Sequence, residues 1–336
     1  LPCCLLFALV ASSQQLALAA QKVSPAKATR VRISQSAVSA RSSILWIAQE
    51  LGMFAKYGVD AEGVFVRTSP IQMTALGSGE VQFAATGGPP VLSAAASGQD
   101  VKIIASPSNR LSYDLVVRPQ IKAAKDLRGK RLGVTPIGGT TWLAAYLTLE
   151  HLGLDTHHDQ IRINAIGNQT ILAQAVESGT IDATLLDPFL SRRTKLKGLP
   201  VLVELYRAKI PFTNTAFAVN GNYLRQHPEV AEAVLKGMFE AQAFIATPAN
   251  RHAVFQSMAR HMKLNDLAVL EEGYQDLLTG LEKKPYAAEE GLRNIQRILA
   301  TLNANAHRAK VDEIIDNRFI RKLDDSGFID ALYSKN

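Results

Sequence analysis

The chain is poor in cysteine: Cys3 and Cys4 stand side by side near its start, and no other occurs in its 336 residues. Beyond them there is no thiol for a disulfide framework, a cysteine-rich metal site or nucleophilic attack. Histidine is sparse, seven in all. The adjacent pair His157-His158 points apart on any regular element and lacks a third ligand at metal spacing, so a solvated loop is the reading and no metal is expected. No G-x-S-x-G elbow and no nucleophile beside a placed base appear, so no catalytic residue is assigned and no cofactor is implied. Long hydrophobic runs are missing too. The uncharged opening LPCCLLFALVASSQQLALAA is too short and too broken to span a bilayer. Its triplet Ala17, Leu18, Ala19 reads as the end of a secretion signal, residues 1–19, cleaved before Ala20. A plain apolar tail is the alternative, because the positively charged start is missing and the chain opens on Leu1. A signal removes both cysteines and implies a soluble periplasmic protein, not a lipid-anchored one.

What is present is an ordinary globular composition, 47% apolar and 20% charged, long enough for two lobes with their own cores. The charges sum to 37 − 30 = +7. A basic surface suits nucleic acid, but the Lys and Arg residues are scattered and export removes that partner.

Residues 133–140, GVTPIGGT, match the phosphate-cradling pattern G-x-x-x-x-G-K-[ST] except that Gly139 stands in the lysine position. Without that cation the loop loses much of its grip on a triphosphate, which argues against nucleotide. The helix expected after it still directs unpaired N–H groups and a partial positive charge at the loop, which suits one small oxyanion or carboxylate.

The body alternates strand and helix. Strands are expected at Val31–Ser34, Val64–Arg67 and Val81–Ala84, with helices at Ser42–Tyr57 and Pro70–Leu76 between them. The order recurs about one hundred residues later: a strand at Arg131–Thr135, a helix at Trp142–Leu152 and a strand at Ile161–Ala165. The next helix of each copy ends in a Ser-Gly turn, ALGSGEVQ from Ala75 against AVESGTID from Ala175. Such repetition predicts two similar α/β lobes, each a mainly parallel sheet with ligands at the carboxyl ends of its strands.

In that order, WIAQELGMFAKYGV (46–59), DLRGKRLGV (126–134), SGTIDA (178–183) and DPF (187–189) resemble the periplasmic substrate-binding proteins of sulfonate, taurine and nitrate ABC importers. The resemblance spans about residues 29–335. It implies a type II periplasmic binding fold, two α/β lobes joined by two crossover strands with a ligand cleft between them. Candidate crossovers are Asp114–Arg118 and Thr215–Asn220, giving a discontinuous first lobe, 29–116 plus 217–336, around a second, 117–216. The implied function is capture of a small anionic solute by hinge closure, as a monomer, for an ABC permease in the inner membrane. A receptor for a sensor, or an enzyme of pyrimidine or menaquinone synthesis on the same fold, stays open. The sulfinate desulfinases and thiamine-pyrimidine synthases that also resemble this fold depend on cysteines missing here.

Candidate ligand contacts sit on loops at the expected strand ends. Thr140 and Thr141 offer hydroxyls at a helix start, though such residues also cap helices without binding anything. Ser39, Arg41 and Ser42 belong to a hydroxyl-rich loop, and the Arg41 guanidinium could clamp an anion in two-pronged fashion or simply be a solvated surface arginine. Thr86, Gly87 and Gly88 follow the third strand, where glycine admits a close approach. Asp187 holds the matching place in the second copy, either accepting from an N–H of the ligand or capping the helix at Pro188. Ser106, Ser108 and Asn214 border the crossovers.

Overall fold

The computed structural model describes residues 28–334, so the expected signal segment and both cysteines lie outside the described residues. The first strand, β1 (Thr29–Gln35), alternates as its sequence dictates: Val31 and Ile33 face the core while Arg30 and Arg32 face solvent. A turn of 3-10 helix at Ala40–Ser42 leads into α1 (Ser43–Glu50) and α2 (Met53–Lys56). The expected continuous helix is thus broken at Gly52, whose φ of +65° is a left-handed conformation helices do not contain.

Next come β2 (Val59–Phe65), α3 (Ser69–Ser78), β3 (Phe83–Thr86), α4 (Gly88–Ala96) and β4 (Val101–Arg110). β2 starts earlier than the expected Val64 because Asp60 and Glu62 lie on its solvent side, where an edge strand tolerates charge; Glu62 pairs there with Arg30 and Arg32. The second half then runs β5 (Asp114–Val117), β6 (Arg131–Val134), α5 (Thr140–His151), β7 (Arg162–Ala165), α6 (Gln169–Ser178), β8 (Ala183–Leu186), α7 (Pro188–Leu196) and β9 (Val201–Glu204). The chain returns through β10 (Pro211–Asn220), followed by α8 (Gly221–Gln226), α9 (Pro228–Ala246), α10 (Arg251–Met262), α11 (Leu267–Gly280) and α12 (Glu289–Leu302) before three short helices.

The strands form two five-stranded sheets, ordered β2-β1-β3-β10-β4 and β7-β6-β8-β5-β9. These are one topology used twice. In each, three parallel strands meet one antiparallel strand that arrives from the other half of the chain, β10 in the first sheet and β5 in the second. The echo reaches single hydrogen bonds. Ser78 Oγ donates to Ala75 O and Ser178 Oγ to Ala175 O, both at 3.1 Å. Gly79 and Gly179 close those helices at φ of +81° and +80°. Gln82 Oε1 accepts from Arg32 N–H at 2.8 Å, and the corresponding Asp182 Oδ2 accepts from Arg131 N–H at 2.9 Å.

The chain passes between sheets twice, at residues 111–113 and again between β9 and β10. Leu111 is buried in the first passage, and Phe212 is buried at the start of β10 just after the second. The carboxyl ends of β1–β3 therefore face those of β6–β8 across a cleft.

Candidate functional site

The cleft walls come from the loops after these strands together with residues of the two links, and they enclose about 140 Å³. A closed space of that size holds a guest about as large as benzene. Nine of the expected residues line it: Ser39, Arg41, Ser42, Thr86, Gly87, Thr140, Thr141, Asp187 and Asn214. Gly88 does not, being wedged inside the start of α4, where a Cβ would lie 2.6 Å from that of Thr213. Ser108 also falls outside, buried within β4 opposite Thr215 of β10, and neighbouring Ser106 spends its hydroxyl on Thr215 O at 2.9 Å.

The loop after β6 shows why glycine replaces lysine. A Cβ on Gly139 would stand 2.4 Å from Thr135 Oγ1 and 2.8 Å from Pro136 O, so no side chain fits. Thr135 braces the turn: its hydroxyl accepts from Thr141 Oγ1 at 3.1 Å and from Trp142 N–H at 3.3 Å, and its own N–H donates to Thr141 Oγ1 at 2.9 Å. Thr141 thus spends its side chain on the loop. The Thr140 hydroxyl and the first amides of α5, at Thr140 and Thr141, remain for a ligand. The loop after β3 is different. Pro89 and Pro90 occupy the first turn of α4 and carry no N–H, so this helix start is a poorer anion cradle than its sequence position suggests. Its contribution is closeness. A Cβ on Gly87 would lie 2.4 Å from Thr140 Oγ1, so the two lobes touch here only because residue 87 is glycine.

Arg41 lines the cleft, but its fork is closed on the protein. Nε and Nη2 donate to Asp276 Oδ2 and Oδ1 of α11 at 3.0 and 2.8 Å, and Nη2 also reaches Ser112 Oγ at 2.8 Å. Both partners are nearly buried, with 11% and 7% of their side chains exposed. Burial works against the arginine charge, yet the Asp276 carboxylate more than offsets it and the pKa is raised. The clamp expected for a solute anion is therefore occupied by a residue 235 positions away in the chain.

Asp187 caps α7, its Oδ1 accepting from Leu190 N–H at 2.9 Å, while its own N–H donates to Gln169 Oε1. It is 6% exposed. Burial pushes its carboxyl up to about 6; the Leu190 N–H and Arg41 pull it down, and Asp276 and Asp114 push it up. Asn214 Nδ2 donates to Ser112 Oγ at 3.0 Å, joining β10 to the link at Ser112 and through it to Arg41.

Several lining residues escaped the sequence reading: Gln35, Arg67, Ser69, Asn168 and Gln169. Most follow the second strand of each half, and the repeat was the available signal, since Ser69 and Gln169 open α3 and α6 at equivalent places. Placing the second strand at Val64–Arg67 hid the first of these loops. Arg67 is exposed at the cleft edge and makes no ion pair among the described residues. Among those residues, no group of His, Cys, Asp or Glu is placed to hold a metal.

Two lobes on duplicated five-stranded sheets, crossed twice by the chain and enclosing a cleft, define a type II periplasmic binding protein fold. The NMT1/THI5-like family model matches residues 39–250, more than half of the chain, and the protein belongs to that family. A Brucella abortus relative named "putative binding protein" is 30% identical over 64% of this chain, and the match spans 66% of the relative's own length. A Bacillus subtilis protein named as an aliphatic sulfonates-binding protein, also with the qualifier "putative", is 26% identical over 88% of each chain. The crystal structure of the periplasmic nitrate-binding protein NrtA from Synechocystis superposes with a TM-score of 0.70 at 15% identity, covering 89% of each chain. Among the described residues no helix is long and apolar enough to cross a membrane.

Proposed function

We propose that the protein is the extracytoplasmic solute receptor of an ABC importer, binding a small organic anion in the cleft and passing it to a membrane permease. The observation that carries this reading is the contact of Gly87 with Thr140. Two loops at the carboxyl ends of strands in different lobes, the one after β3 and the one after β6, meet beside a small cleft. A solute held between the lobes touches both walls only when they are closed, so it shifts the population toward the closed state. The anionic end of the solute meets the amides and hydroxyl at the start of α5, with Arg67 approaching from the other lobe. Charge-assisted hydrogen bonds of this kind are each worth about 1.5–3 kcal/mol. The sulfonate- and nitrate-binding relatives support an anion as the cargo. The lobes part within the two links at 111–113 and 205–210, so that 29–110 plus 211–334 moves against 114–204; the expected crossovers Asp114–Arg118 and Thr215–Asn220 are instead strands built into one sheet each, β5 and the end of β10. A panel of sulfonates, carboxylates and pyrimidines in a thermal-shift assay tests the role. A ligand at a hundredfold excess over its Kd stabilises the protein by about 2.7 kcal/mol. A clear rise in Tm without turnover is expected, and chemical conversion of the ligand would overturn the receptor reading.

A further inference from the structure

The second sheet carries, at the pole away from the cleft, an open depression of about 570 Å³. Arg118, which follows β5, and Arg131, which opens β6, line it together with Lys125, Arg128 and Lys130. The stretch DLRGKR (126–131) therefore lies far from any solute between the lobes, and the receptor role gives its charges no task. The acids nearby are already engaged. Asp126 accepts from Lys122 N–H and Ala123 N–H, both at 2.9 Å, and Asp159 accepts from Arg128 Nε at 2.8 Å. Asp182 holds Arg131 through 2.9 Å bonds to Nε and Nη2. Lys122, Lys125 and Lys130 are exposed and make no ion pair among the described residues. The duplicated scaffold shows which of these charges the fold requires. Asn220 ends β10 where Arg118 follows β5, and its Nδ2 donates to Leu76 O at 3.0 Å, whereas Arg118 Nη1 donates to Glu177 O at 3.2 Å. An uncharged donor thus satisfies the end of the helix in the first half. The other cations of the first pole are matched, Arg30 and Arg32 by Glu62 and both Lys102 and Arg225 by Asp100. The unmatched cations of the second pole are not a demand of the architecture.

We propose that this depression is a second anion site, separate from the cleft, which takes two or more clustered phosphate groups on Arg118, Lys125 and Lys130. A single exposed ion pair is worth only about 0–1 kcal/mol, so one phosphate gains little here. Several cations around one concave surface act together on a ligand that carries several charges. Arg118 is held in place by Glu177 O through Nη1, which leaves the rest of its fork to face the depression. The site stands or falls independently of the receptor role.

Calorimetry with inorganic tripolyphosphate and with orthophosphate tests this, and flotation with phosphatidylglycerol vesicles against phosphatidylcholine vesicles separates lipid headgroups from a soluble source. Tripolyphosphate should bind at least about tenfold more tightly than orthophosphate, and added salt should weaken it. The double variant Lys125→Gln, Lys130→Gln should lose about tenfold or more of that affinity. Both lysines are exposed and unpaired, so its melting temperature should not change. Arg118→Gln keeps a donor for Glu177 O and should also weaken binding. An equal loss of charge on the first lobe, Lys263→Gln with Lys283→Gln and Arg308→Gln, should leave it intact. Binding to phosphatidylglycerol vesicles that the lysine variant abolishes assigns the phosphates to headgroups; tripolyphosphate binding without it assigns them to a soluble ligand. Equal affinity for the two phosphates, an equal loss in the first-lobe variant, or the absence of variant-sensitive binding to either probe overturns the site.

Discussion

The loops after the third strand of each sheet occupy one place in a duplicated topology and carry opposite chemistry. After β3 the chain places Gly87, Gly88 and a pair of prolines, uncharged and shaped for close approach; after β8 it places Asp187, a buried carboxylate. Far from the cleft the two halves keep the same bonds, down to the Ser78 and Ser178 hydroxyls and the glycines that end their helices. Near it they diverge. The scaffold is specified by hydrogen bonds that any α/β repeat of this kind needs, whereas the loops at the strand ends are where the two halves differ. A site built between two such ends acquires a donor side and an acceptor side from one architecture.

The largest effect should come from Arg41 and Asp276, which hold the first-half loop onto α11. Removing either partner leaves a buried charge unpaired, so Arg41→Ala or Asp276→Ala should each cost about 3–5 kcal/mol in denaturant unfolding. Joint replacement by apolar residues should recover much of that loss. A ligand clamp behaves otherwise: loss of affinity with stability intact in Arg41→Ala would return the arginine to the solute.

A smaller effect is expected where the lobes touch. Gly87→Ala puts a methyl against the Thr140 hydroxyl, at 2.4 Å in the present geometry, and so opposes closure. Solute affinity should fall by about tenfold or more while the ligand-free melting temperature stays nearly constant. Combining it with Thr140→Gly should restore part of the affinity, and purely additive losses would mean that the two loops do not meet in solution.

The smallest effect is one of pH. Burial raises Asp187 and Asp114 to about 6 each, against an ordinary aspartate near 4, so the folded protein holds these protons more tightly than the unfolded chain does. Arg41, Asp276, Glu204 and Glu272 are the charges that bear on them. Their contribution to stability is full below about pH 4 and fades as the pH rises through 6. Ligand-free protein should therefore melt at a higher temperature at pH 5 than at pH 7, and D187N should show a smaller rise. A flat profile would mean that Asp187 is already paired.

The sequence made the skeleton readable because repetition and punctuation are local: Ser-Gly turns, helix-closing glycines and apolar alternation lie within a few residues of one another. The same logic placed Thr140, Gly87 and Asp187 at strand ends. It failed for Arg41, whose partner lies 235 residues on, and for β2, whose outward charges conceal an edge strand. Gly88 was misplaced because adjacent glycines look alike in sequence, yet one faces Thr140 and the other packs under Thr213 and Ile295. The orphaned oxygens of Asn214 and Gln35 have no sequence signature, since being unpaired is a property of the packed cleft.

Capture of a solute between the two lobes is the central claim, and small-angle X-ray scattering tests it most directly. Protein saturated with the best ligand of the thermal-shift panel should show a smaller radius of gyration than ligand-free protein, and Gly87→Ala should reduce that contraction. Identical scattering with and without a ligand that calorimetry shows to be bound would contradict it.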